Sequence, residues 1–198
     1  MIQPIDLFNG YNEIYTQSFI VHPDVKDNEY SVTLTEDDRT AKLKKLTVSN
    51  VPKNTILLPL HKYSDLCLGN ILKNILKSAS GIFKCCDYLI VTIAKGKLYL
   101  VFIEMKSKEI NSVDIKKQFK GASCFIEYCN SIIEYFCNMP SRKSLTINTR
   151  YVSVYGNKLN KTPTRRRCYT NHSSPDNFLP YMVGIDDNAA SIPFELLL

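Results

Sequence analysis

The chain has 198 residues, enough for one domain with a real core and too few for two comfortable ones. Hydrophobic residues make up 44% and charged residues 22%, which excludes a disordered or fibrous chain. The net charge of +6, from 25 Lys and Arg against 19 Asp and Glu, permits nucleic-acid binding without demanding it.

No apolar run approaches the ~20 residues needed to span a bilayer. Residues 1–15 lack a basic segment followed by an apolar one, so no secretion signal is read there. The expectation is a soluble, cytoplasmic protein with no membrane partner. Cys67, Cys85, Cys86, Cys124, Cys129, Cys137 and Cys168 are odd in number and contain no CxxC pair. That pattern disfavours a disulfide framework or zinc site, and cysteine among aliphatic residues reads as a small buried hydrophobe.

In chain order, residues 1–60 read as short, irregular strands. Residues 30–35 alternate, 44–48 follow as a partner, and 55–60 are apolar but interrupted by Pro59. From Ser64 the period changes. Leu68, Ile71, Leu72, Ile75 and Leu76 fall on one helical stripe, with Ser64 or Asp65 as cap and Gly81 as stop.

Two strongly apolar runs come next, 87–93 and 98–103, joined by residues 94–97 with a glycine among them. They predict a β-hairpin whose strands are covered on both faces. A long helix begins near Ser112, with Ile115, Phe119, Ala122, Ile126, Cys129, Ile133 and Phe136 on one face, and ends near 138–140. A strand falls within 145–155. A polar, basic loop runs from Gly156 to about Asp176, and 178–185 adds an edge strand, since Pro180 disqualifies it as a central one.

The hairpin makes a geometric prediction. With Lys95 and Gly96 as a two-residue turn, Ala94 faces Lys97 and Asp87 faces Glu104. Opposed residues hold their Cβ atoms ~4.5–5.5 Å apart, so two carboxylates converge on a largely apolar sheet. Like charges placed so are destabilising unless something cationic joins them. Lys106, two residues past Glu104, lies on the same face while Met105 points to the other. A hard divalent cation is the other answer.

Asp87 followed by Glu104, Met105 and Lys106 resembles the PD-(D/E)XK nuclease superfamily, whose fold is that of the restriction endonucleases. The order helix, strand, strand, helix, strand over about 64–155 resembles that core too; Cys86 stands where the family pattern has Pro. The resemblance implies a single α/β nuclease domain spanning 1–198, with a mixed central sheet flanked by helices. Irregular β additions at 1–63 and 156–198 would be peripheral to it.

It further implies Mg²⁺ or Mn²⁺ held by the Asp87 and Glu104 carboxylates and the Met105 carbonyl, with Lys106 positioning or activating the attacking water. Gln118 matches a glutamine that many members place near the metal, and Asp65 matches an accessory acid on the first helix. The implied reaction is phosphodiester hydrolysis, with DNA favoured over RNA. The implied setting is bacterial or viral defence or DNA processing, as a homodimer or part of a larger defence complex.

Lys116, Lys117 and Lys120, and Arg165, Arg166 and Arg167, are the candidates for phosphate-backbone contacts. Each group also fits an ordinary solvated face or loop. For Asp87, Glu104 and Lys106 the plainer reading is a salt-bridge cluster at a hairpin end, but such a cluster needs no apolar strands behind it. His172 reads as a lone histidine in a polar loop. The rival function is a catalytically silent protein of the same fold that binds nucleic acid or protein.

Overall fold

The apolar runs at 87–93 and 98–103 form the centre of the molecule. In the computed structural model, which describes residues 3–15, 20–62, 84–106, 111–137, 146–158 and 172–198, they are β5 (Tyr88–Ala94) and β6 (Lys97–Lys106). Their antiparallel register runs from Ala94↔Lys97 to Tyr88↔Ile103, as the two-residue turn requires. Lys95 (φ 49°) and Gly96 (φ 71°) both adopt the left-handed conformation that matches the twist of the flanking strands. Glycine takes it without strain.

Around this hairpin lies a five-stranded mixed sheet of order β4-β5-β6-β7-β8. β4 (Thr55–Pro59) pairs antiparallel with β5, while β7 (Ile147–Lys158) and β8 (Leu179–Ile185) extend the sheet in parallel from β6. Parallel neighbours need a crossover. Helix α2 (Ser112–Phe136) lies between β6 and β7 in the chain. Asn111 caps it, its side chain accepting from the Val113 and Asp114 amides at 3.2 and 3.4 Å. The edge strand expected over 178–185 is β8, with Pro180 at the sheet margin.

One face of the sheet is covered by helices. Leu98, Leu100 and Phe102 of β6 pack with Ile115, Phe119, Ala122 and Ile126 of α2 and with Leu7, Phe8 and Tyr11 of α1 (Pro4–Ile14). The alternate residues Tyr99, Val101, Ile103 and Met105 face a second core, built with Val32, Leu34, Leu46, Val48 and Ile192. Those come from a smaller sheet of order β1-β2-β3-β9: Asp24–Lys26, Glu29–Thr35, Lys45–Ser49 and Ala189–Pro193. Covering both faces explains why β5 and β6 are apolar nearly throughout.

Five expectations need correction. Residues 4–14 are helical rather than a strand: Pro4 starts the turn, Gln3 and Asp6 form a capping box, and Leu7, Phe8 and Tyr11 bury one face. The segments read as irregular peripheral additions form a second sheet, in which β3 pairs in parallel with β9 from the far end of the chain. Helices therefore do not flank both faces among the described residues. β7 runs on to Lys158 into the expected loop. His172 is buried, its Nε2 3.0 Å from the Leu197 carbonyl, with its own carbonyl accepting from the Tyr151 amide. The helix expected over 64–81, with Asp65, and the Arg165–Arg167 run lie outside the described residues. Among the described residues no helix is long and apolar enough to cross a membrane.

Candidate active site

The β5–β6 ladder closes at Tyr88↔Ile103, and side chains take over its next hydrogen bonds. The Asp87 amide donates to Glu104 Oε2 at 3.2 Å, and the Met105 amide donates to Asp87 Oδ2 at 2.7 Å. Each carboxylate is thereby held by the main chain of the opposite strand. The convergence expected from the turn is present. Glu104 is fully buried, and strand alternation puts it on the helix-covered face with Phe102.

Lys106, one alternation further, reaches back so that its Nζ ion-pairs with Glu104 Oε1. Its side chain is 30% exposed against 1% for that of Glu104, so the ammonium bridges the buried carboxylate and the surface. From above, α2 brings Gln118, which favours the ionised form of Glu104 through a hydrogen bond. Gln118 Oε1 is buried and has no hydrogen-bond partner. Asp87, Glu104, Lys106 and Gln118 thus meet in one place.

Electrostatics follow from this burial. Desolvation raises the Asp87 carboxyl to about 6, opposed by the Met105 amide, Lys106 and His61. Desolvation, and then the charge of Asp87, push Glu104 to about 8, against the pull of Lys106 and Gln118. Burial alone would lower Lys106, but the carboxylates of Glu104, Asp87 and Glu36 win and hold its ammonium above the usual lysine range. Both carboxyls are thus held above the ordinary carboxylate range and titrate as one coupled pair. One lysine does not fully offset the two when both are ionised.

Two neighbours were not anticipated. Glu36, half-buried just after β2, acts on both Asp87 and Lys106. It is held nearby because the Tyr88 hydroxyl donates to the Thr35 carbonyl at 2.6 Å and accepts from the Thr35 amide at 2.9 Å. His61, in the short helical turn Leu60–Lys62, donates its amide to the Asp87 carbonyl at 3.3 Å and sets Nδ1 3.0 Å from the same oxygen. The acidic run 36–38 is visible in the sequence, but nothing local ties it to β5. His61 carries no signal beyond being a histidine.

The expected basic surface is only partly assembled. Lys116 and Lys117 lie half-buried on the first turns of α2. Lys120 is exposed and 2.9 Å from Asp176, a pair between solvated groups. Lys84 pairs with Asp114 at 3.3 Å.

The donor set at Asp87 and Glu104 fits a hard cation. Its donors are carboxylate oxygens, and Gln118 Oε1 and Ser153 Oγ are buried oxygens without hydrogen-bond partners. The nearby thiols are soft donors, less suited than carboxylate oxygens to a hard cation. Burial pushes Cys85 to about 11 and Cys86 well above the ordinary thiol value, so both stay protonated. Among the described residues no group of three or more His, Cys, Asp or Glu is arranged to hold a metal, so this would be a two-carboxylate site. No protein-family model, curated protein or solved structure matches this chain.

Proposed function

We propose that the chain is a metal-dependent nuclease of PD-(D/E)XK type that hydrolyses phosphodiester bonds, with DNA the favoured substrate and RNA the alternative. One observation carries this reading. Two carboxylates opposed across the central hairpin, Glu104 fully buried and Asp87 half-buried, share one face with Lys106 and are left short of positive charge.

Asp87, Glu104 and the Met105 carbonyl would hold Mg²⁺ or Mn²⁺. When bound, that ion supplies Lewis acidity toward the phosphoryl oxygen and lowers the pKa of bound water. Lys106 stays an ammonium because three carboxylates stabilise it, so it serves to stabilise charge on the phosphoryl group or to orient the attacking water. Gln118 steadies Glu104 from the helix side. Lys116 and Lys117 flank this end of α2 and suit the phosphate backbone, where basic side chains give salt-sensitive, sequence-independent affinity. Homodimerisation or membership of a larger defence complex, in a cytoplasmic setting, completes the proposal.

A second reading has its own observation. Lys106 is already paired with Glu104, and Lys120 with Asp176, so the cluster and part of the basic surface satisfy themselves. A catalytically silent protein of the same fold, binding nucleic acid or protein, would look like this. The two readings separate on incubation of purified protein with plasmid, single-stranded DNA and RNA, with Mg²⁺, Mn²⁺ or chelator. The nuclease reading expects metal-dependent cleavage that Asp87→Ala and Lys106→Ala each abolish. Cleavage that survives both substitutions refutes it, and binding without cleavage favours the silent protein.

A further inference from the structure

Ser153 lies on β7, in direct register with Glu104 across the parallel β6–β7 pair. Paired residues on adjacent strands stand about 4.8 Å apart and point to the same face. Tyr151 faces the helix-side core, as Phe102 does, whereas Val152 and Val154 face the second sheet. Ser153 and Glu104 therefore share the helix-covered face, and α2 closes over them: the ring of Phe119 meets Tyr151 at 5.3 Å, and Ser123 Oγ lies 2.9 Å from the Tyr151 hydroxyl.

Ser153 is 0% exposed, and its hydroxyl has no hydrogen-bond partner. Valine or alanine would continue the apolar run from Tyr151 to Val154 without leaving a polar atom unpaired. Four buried side-chain atoms among the described residues lack a hydrogen-bond partner. Two of them, Ser153 Oγ and Gln118 Oε1, flank Glu104, whose Oε1 is paired with the Lys106 ammonium. They belong to one neighbourhood. Buried polar atoms left unpaired are costly, so a cluster of them points to a ligand or a second arrangement that satisfies them.

We propose that Ser153 is a positioning residue for the metal site, donating its hydroxyl to the Glu104 carboxylate when a divalent cation engages that carboxylate. The strand order carries the argument. β5 and β7 lie on opposite sides of β6, so Asp87 approaches Glu104 from one side and Ser153 from the other. A cation shared with Asp87 competes with Lys106 for the carboxylate, and Ser153 is the donor placed to hold it from behind. Partners that orient a metal ligand in this way typically change metal affinity 10–100-fold when removed.

This inference rests on the proposed metal site, and metal binding measured without any nuclease assay tests it. Mn²⁺ affinity is measured by calorimetry, and bound Mn²⁺ is followed by its paramagnetic resonance signal, for the wild type, Asp87→Ala, Ser153→Ala and Ser153→Cys. Thermal melting of chelator-treated protein runs alongside. Asp87→Ala should abolish binding. Ser153→Ala should weaken it about tenfold while leaving the metal-free melting temperature unchanged or higher, because no hydrogen bond is lost there. Ser153→Cys, which keeps the side-chain shape with a larger atom but donates poorly, should follow Ser153→Ala in Mn²⁺ affinity. A purely structural serine shows the reverse, a lower melting temperature with unaltered Mn²⁺ affinity, and that result overturns the proposal alone. Failure of the wild type to bind Mn²⁺, or binding that Asp87→Ala leaves intact, overturns the metal reading and this inference with it.

Discussion

Glu104→Gln isolates the electrostatic cost of the site. Glutamine keeps the shape and an oxygen for the Asp87 amide but removes a carboxylate that burial and Asp87 push from 4.5 to about 8. The folded protein holds this proton more tightly than the unfolded chain does. The resulting stability is complete below pH 4.5 and is lost as pH rises through 8. Each pH unit in that window is worth about 1.4 kcal/mol.

From pH 5 to pH 8 the metal-free wild type should therefore lose about 3 kcal/mol, a loss shared with Asp87 because the two titrate as a pair. Asp87 has the same sign over its own window, from 3.8 to about 6. Lys106, Glu36 and Cys86 also face the pair, and the first opposes the loss. Urea unfolding of chelator-treated protein at pH 5, 6, 7 and 8 reads this directly. The Glu104→Gln curve should be flatter by most of the loss, so that the variant is the more stable protein at pH 8 and an inactive one. Mg²⁺ at one hundred times its dissociation constant should restore about 2.7 kcal/mol to the wild type at pH 8 and much less to the variant. Parallel pH slopes for the two proteins would show that Glu104 is not a strained carboxylate, and the electrostatic case for a cation would fail.

Tyr88→Phe removes the hydroxyl that both accepts from and donates to Thr35. It should cost about 1–2 kcal/mol, read as a fall of a few degrees in melting temperature, and should lower cleavage by loosening the segment that carries Glu36. An unchanged melting temperature would mean that Tyr88 does not couple the two sheets. Lys120→Ala breaks an exposed pair with Asp176 and should change stability by less than about 0.5 kcal/mol. If Lys120 also meets nucleic acid, the same variant flattens the dependence of binding on salt; an unaltered salt slope assigns it to the surface pair alone.

The central hairpin was legible residue by residue because its determinants are local. A two-residue turn with Gly96 at φ 71° sets the register, the register opposes Asp87 to Glu104, and alternation puts Lys106 on the same face. Helix α2 was equally plain through Ile133, since its apolar residues recur at a period that only a helix satisfies, whereas Phe136, expected on the same face, is exposed at the helix end. Residues 4–14 were not. Asn9 and Gly10 are poor helix formers, and the helix rests on docking: the Tyr11 hydroxyl donates to Asn130, and a Cβ on Gly10 would stand 2.5 Å from Ile133.

The same distinction runs through the site. The pairing of β3 with β9 joins strands about 140 residues apart, and no short-range pattern encodes a partner at that distance. Glu36 reaches Asp87 only because the second sheet packs on the first, and Ser153 reaches Glu104 only because α2 returns the chain to the other side of β6. Local backbone geometry was enough to bring two carboxylates and a lysine together. The burial of Glu104, which raises its carboxyl, came from long-range packing on both faces of the sheet.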